Sequence, residues 1–102
     1  MLFDWDDKKR EKTLTERKID FIDAVLVWED PRRQERLDLR HNYGEDRIQT
    51  IGKVSFGILL VVYTERINEN DEEVARIISV RKATRKEREE YENHTFHMRR
   101  IS

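Results

Sequence analysis

The sequence contains no cysteine, which excludes a disulfide framework, a thiolate metal site and a cysteine nucleophile. A reducing cytosol suits such a composition, and a cytoplasmic location is expected. Long apolar runs are also missing. The longest, Ile58 to Tyr63, is the length of a strand, far below the about 18 residues of a membrane span. The first residues, Met1-Leu2-Phe3-Asp4-Trp5-Asp6-Asp7, reach acidic side chains at once and show no apolar leader core. No membrane partner is expected. With three glycines and one proline, the chain has no phosphate-binding glycine loop. It also lacks a helical histidine pair with a glutamate and a nucleophile elbow. Nor is there an excess of one charge: 21 basic residues stand against 22 acidic ones, for a net charge of -1, so bulk charge does not announce a nucleic-acid binder.

A length of 102 residues supports one hydrophobic core and not two. One domain is expected over residues 1–95, with a loosely ordered tail over 96–102. Charge is distributed unevenly. Between Val74 and Arg88 the basic residues Arg76, Arg81, Lys82, Arg85, Lys86 and Arg88 face the single acid Glu87. Such a run is either a solvated strand end and helix face or a contact for a phosphate-bearing partner.

The apolar periodicity predicts the elements. Trp5 to about Arg17 is polar and helix-forming, with Trp5 and Leu14 as its few anchors. Asp20 then reads as an N-cap. Phe21, Ala24, Val25 and Trp28 follow at i, i+3, i+4 and i+7, so a second helix buries one face until Pro31 stops it. Beyond Pro31 the pattern turns extended. Residues 33–39 are weak strand formers, Asn42-Tyr43-Gly44-Glu45-Asp46 is a turn signal, and Arg47 to Lys53 is a second extended segment. After Gly57, Ile58 to Thr64 is apolar on both parities, as in a central strand covered on both faces. Asn68 to Glu73 is a polar loop. Val74 to Val80 forms a fourth strand, with Arg76, Ile78 and Val80 expected on one face and Ile77, Ser79 and Arg81 on the other. Thr84 with Glu87 is a capping box that opens a last helix to about His94. The expected fold is α+β: two N-terminal helices, a four-stranded antiparallel meander and a C-terminal helix.

The polar residues that stand out lie on or beside the strands: Arg40, His41, Tyr43, Glu45, Arg47, Lys53, Arg66, Arg76, Arg81 and Lys82. Cutting RNA without a metal requires a base for the 2′-hydroxyl, a cation for the charge developing on phosphate and an acid for the leaving oxygen. Arginine suits the second role, because its planar guanidinium stays charged and grips phosphate oxygens two at a time. His41 and Glu45 are candidates for the first or third; Glu45 and Arg47 also read as a cross-turn ion pair. Trp5, Phe21 and Trp28 read as core anchors. His94 and His97 sit three apart without further ligands, so they read as surface, and neither a metal nor a cofactor is expected.

Several segments, in their order, resemble the BrnT family of type II toxins, related to the RelE and ParE toxin fold. They are Phe3-Asp4-Trp5-Asp6 with Lys9, Phe21 through Asp30-Pro31, Asp38 through Arg47, Ile51-Gly52, Leu60 through Arg66, Arg76 through Arg88, and Tyr91. Two segments differ: family members commonly carry Lys-His-Gly where this chain reads Glu16-Arg17-Lys18, and the loop from Asn68 to Glu73 is long and acidic. The resemblance implies a ribonuclease toxin that arrests translation. It also implies a BrnA-like antitoxin partner, whose ribbon-helix-helix domain would provide the only link to DNA. The arginine-rich sheet surface carries over to Arg40, Arg47, Arg66, Arg76 and Arg81, with His41, Glu45 and Lys82 beside them. Lys53, Lys82 and Arg85 are expected to bind the RNA. The identity of the base stays open among His41, Glu45 and water. The competing reading is a non-catalytic module of the same fold that binds an antitoxin or another protein.

Overall fold

A computed structural model of the chain describes residues 1–40 and 44–98. His41 and Tyr43 lie outside the described residues. The described elements are β1 (Leu2–Trp5), α1 (Asp7–Arg17), α2 (Phe21–Leu26), β2 (Gln34–Asp38), β3 (Arg47–Val54), β4 (Gly57–Ile67), β5 (Glu73–Lys82) and α3 (Arg85–Glu92). Single 3-10 turns follow at Val27–Glu29 and Phe96–Met98.

Strands β2 to β5 form the expected antiparallel meander. The expectation of four strands is corrected by β1, which adds to the sheet parallel to β5, with Leu2 opposite Val74 and Trp5 opposite Ile77. The order across the mixed sheet is β1-β5-β4-β3-β2, so β4 is central as its doubly apolar pattern requires. Alternation explains β1: Phe3 and Trp5 point to the core while Leu2 and Asp4 stand on the other side. Only four residues carry that alternation, and a polar helix follows directly, so the expected helix began too early. Asp6 is its cap. The Asp6 carboxylate accepts hydrogen bonds from the backbone N–H groups of Lys8 and Lys9 at 2.8 and 3.2 Å, which starts α1 at Asp7.

At its other end α1 closes on Lys18, whose φ of 61° is left-handed. Asp20 caps α2 with a reciprocal box to Asp23, and its carboxylate also receives Arg10 at 2.7 and 3.1 Å. Helix α2 is short and tightens into a 3-10 turn before Pro31. The tighter winding rotates the buried stripe. Phe21, Ala24 and Val27 become fully buried while Val25 and Trp28 are only half-buried. Thr84 and Glu87 form the predicted capping box, and α3 ends at Glu92, two residues short of the expected end.

Two cores sandwich the sheet. On one face the α1–α2 connection, α2 and the 3-10 turn after it contribute Ile19, Phe21, Ala24 and Val27 to a cluster with Leu59, Val61, Tyr63, Ala75, Ile77 and Val80. On the opposite face Tyr91 of α3 and Phe96 cover Ile51, Leu60 and Ala83. Phe96 is therefore held in the core, although it falls in the stretch expected to be loose. Gly52 allows the first layer to approach: a Cβ there would stand 2.7 Å from Val27 Cγ1 and 3.1 Å from the Val27 carbonyl oxygen.

One irregularity reorganises β5. The antiparallel register runs Val61 opposite Val80 and Val62 opposite Ser79, then Tyr63 opposite Ile77, leaving Ile78 as an extra residue. Such a bulge reverses the side-chain alternation beyond it. Ile77 and Val80 therefore share the α1/α2 face, and Arg76, Ser79 and Arg81 share the other. This corrects the expectation that Arg76 and Arg81 lie on opposite faces.

Candidate nucleic-acid interface

The register assembles one row across all five strands on the face opposite α1 and α2. Asp38 of β2 lies opposite Arg47 of β3. Ile48–Tyr63 is the last pair of the β3–β4 register, and continuing it by one step sets Arg47 toward Thr64 of β4. Thr64 lies opposite Arg76 of β5, and Arg76 lies beside Asp4 of β1. The row reads acid, arginine, threonine, arginine, acid. Arg66 stands two residues beyond Thr64 on the same face of β4. Thr64 thus has Arg76 opposite it, Arg66 on its own strand and Arg47 one step past the last β3 pair.

Carboxylates hold these cations in place. Arg76 Nη1 lies 3.3 Å from Asp4 Oδ1, and Arg66 Nη2 lies 3.6 Å from Glu45 Oε2. Arg40 donates to Asp38 through Nε at 3.0 Å and Nη2 at 2.8 Å. Asp38 also accepts from Gln49 Nε2 at 3.3 Å, and Gln49 Oε1 accepts from Arg36 Nε at 2.9 Å. Hydrogen bonds from Arg40 outweigh the burial of Asp38 and hold its carboxyl below the usual carboxylate range. Arg36 is anchored from the other side by the Phe96 ring, 3.8 Å from its centroid, and by Glu90 at 3.7 Å.

The candidate residues divide into two groups. Arg47, Arg66, Arg76 and Glu45 come together around Thr64, with Arg40 at the end of β2. Lys53 lies six residues along β3 from Arg47, about 20 Å away at the rise of a strand, and opposite Ile58. Lys82 lies opposite Leu59, at that same far end of the sheet. Arg85 opens α3 and pairs with Glu89 at 3.4 Å. Arg81 lies between the groups, opposite Leu60, and its guanidinium is tied to α3 through Glu87 at 2.8 and 2.9 Å. His41 lies outside the described residues. Sequence reasoning missed Arg36, Asp38, Gln49 and Thr64. Period-two counting from Arg47 reaches Gln49 and Ile51, but β2 was too weak by propensity to supply its own row members. Among the described residues, no three histidine, aspartate or glutamate side chains form a group able to hold a metal ion.

In-register arginines on a sheet can meet successive oxygens of a phosphodiester chain, and their carboxylate partners keep the guanidiniums oriented until an anion arrives. A small α+β domain with such a face has the charge and spacing to accept a polyanionic chain. The family model described as "Ribonuclease toxin, BrnT, of type II toxin-antitoxin system" matches residues 5–87, a span that contains Asp38, Arg47, Thr64 and Arg76. The chain belongs to this family of ribonuclease toxins, whose type II systems pair the toxin with an antitoxin. No match is found among curated proteins. Among the described residues, no helix is long and apolar enough to cross a membrane.

Proposed function

We propose that the chain cleaves RNA on the sheet face around Thr64 without a catalytic metal, arrests translation in the cytoplasm, and is neutralised by a BrnA-like antitoxin with a ribbon-helix-helix DNA-binding domain. The observation that carries this reading is the β5 bulge, which turns Arg76 onto the face that already bears Arg47 and Arg66. In this reading the three arginines hold the scissile phosphate, with Arg40 at the rim. The 2′-oxygen attacks phosphorus, a P–O2′ bond forms and the P–O5′ bond breaks. A base drawn from His41, Glu45 or water takes the 2′ proton, and an acid returns one to the 5′-oxygen. The guanidiniums offset the charge that grows on the non-bridging oxygens. Lys53 and Arg85, beyond the α3 packing at the far end of the sheet, hold flanking nucleotides that pass over α3, while Lys82, opposite Leu59 on the α1/α2 face, lies off this path. The deciding experiment is cleavage by purified protein in excess EDTA. Products should end in a 2′,3′-cyclic phosphate and a 5′-hydroxyl, and a substrate with 2′-deoxyribose at the cut site should resist. Activity lost to EDTA and restored by magnesium would overturn the mechanism. In cells, induction should halt growth and protein synthesis, with relief on antitoxin co-expression.

A further inference from the structure

The Thr64 side chain is anomalous for a central strand. It is buried to 2 % exposure, and its Oγ1 has no hydrogen-bond partner. A buried hydroxyl without a partner costs free energy, and valine fills the same volume without that cost. The surroundings supply what the hydroxyl lacks. Arg76 is its cross-strand partner on β5, Arg47 lies one register step away on β3, and Arg66 follows on its own strand. Arg66 and Arg76 are each held by a carboxylate, and a phosphate would be met by the same guanidiniums.

We propose that Thr64 is a phosphate-binding residue of the toxin, donating its Oγ1 hydrogen to a non-bridging oxygen of the scissile phosphodiester while Arg47, Arg66 and Arg76 surround the same group. The inference rests on the RNA-cleaving reading of this face and adds a contact to it. Access to the hydroxyl requires neighbouring side chains to move aside. The Arg66 and Arg76 side chains are 51 % and 31 % exposed and are held by the partly exposed carboxylates Glu45 and Asp4. Both can exchange a carboxylate for a phosphate without a net loss of ion pairing. The hydroxyl adds direction to a site that otherwise recognises only charge. Its hydrogen bond strengthens as charge accumulates on the non-bridging oxygen in the transition state.

The test compares Thr64→Val, Thr64→Ser and Arg76→Ala in the full chain. The assays are single-turnover RNA cleavage, binding of a 2′-O-methyl oligonucleotide that cannot be cut, and thermal melting. Thr64→Val should melt at or above the parent temperature and cleave about 10- to 100-fold more slowly, the loss of one hydrogen bond to a charged group. Its binding of the uncut oligonucleotide should change by less. Thr64→Ser keeps the donor and should cleave within a few-fold of the parent. Parent-rate cleavage by Thr64→Val, beside an impaired Arg76→Ala, would overturn the role of Thr64 and leave the site in place. A Thr64→Ser variant as slow as Thr64→Val would also overturn it, because the methyl group would then be the part that matters. If Arg76→Ala cleaves at the parent rate, the arginine face itself is not the site and both readings fall.

Discussion

Arg81 and Glu87 meet through two parallel hydrogen bonds, Nη1 to Oε1 at 2.8 Å and Nη2 to Oε2 at 2.9 Å, and Glu87 Oε1 also accepts from the Thr84 N–H at 2.8 Å. The pair fastens the end of β5 to the cap of α3. Burial alone would raise the Glu87 carboxyl, but the bonds from Arg81 and Thr84 outweigh it and hold the group low.

Alanine at the two β5 arginines should therefore have different consequences. Arg81→Ala strips a mostly buried carboxylate of its cation, and a loss of about 1–3 kcal/mol is expected. Arg76 faces an exposed Asp4, so Arg76→Ala should stay within about 0.5 kcal/mol of the parent while RNA cleavage falls. Urea denaturation beside a cleavage assay separates the two. Equal stability of both variants would remove the structural role given to Arg81.

Stability should fall at both extremes of pH. Asp38, held low by hydrogen bonds from Arg40, and Asp20, held low by those from Arg10, have folded-state affinities for protons below their unfolded ones. Their contribution is complete above about pH 4 and disappears as pH falls through the folded values. Asp38→Asn should lower the melting temperature at pH 7 and make its acid decline shallower. At the alkaline end, burial and the Asp30 carboxylate push Tyr91 up to about 12, and burial and Glu35 push Tyr63 higher still. A raised value contributes stability in full below about pH 10, and that contribution is lost progressively as pH rises through the folded value. Tyr91→Phe should flatten the alkaline decline. A melting curve that keeps its pH slope in both variants would remove these groups as the cause.

Gly52 should resist enlargement. The methyl of Gly52→Ala would sit 2.7 Å from Val27 Cγ1, and overpacking of this kind costs about 1–3 kcal/mol. Combining it with Val27→Ala should give a less than additive loss, because the second change removes the clashing atom while the Val27 carbonyl remains. Additive losses would show that the two residues do not press on each other.

The sequence by itself determined the local elements and the order of the meander. Asp20 and Thr84 with Glu87 announce their helices through side chains that bond their own neighbours, and β4 announces its central place through apolar residues on both parities. These signals act over a few residues, so no distant contact is needed to read them. What depended on distant partners was decided by the tertiary structure. Strand β1 exists because β5 offers an edge to four residues that would not hold a strand alone. Strand β2 gains from β3 and from Arg36 under Phe96 what its propensity lacks, and Phe96 itself is held by a core that the local sequence does not show. The site followed the same division. The arginines were visible as residue types, but which of them share a face depended on one extra residue at Ile78, because a bulge forms against a partner strand and reverses every side chain past it. Asp38, Gln49 and Thr64 joined the arginine face only once five strands were laid in register, since membership of a row across a sheet is set by pairing between strands and not by spacing along any one of them.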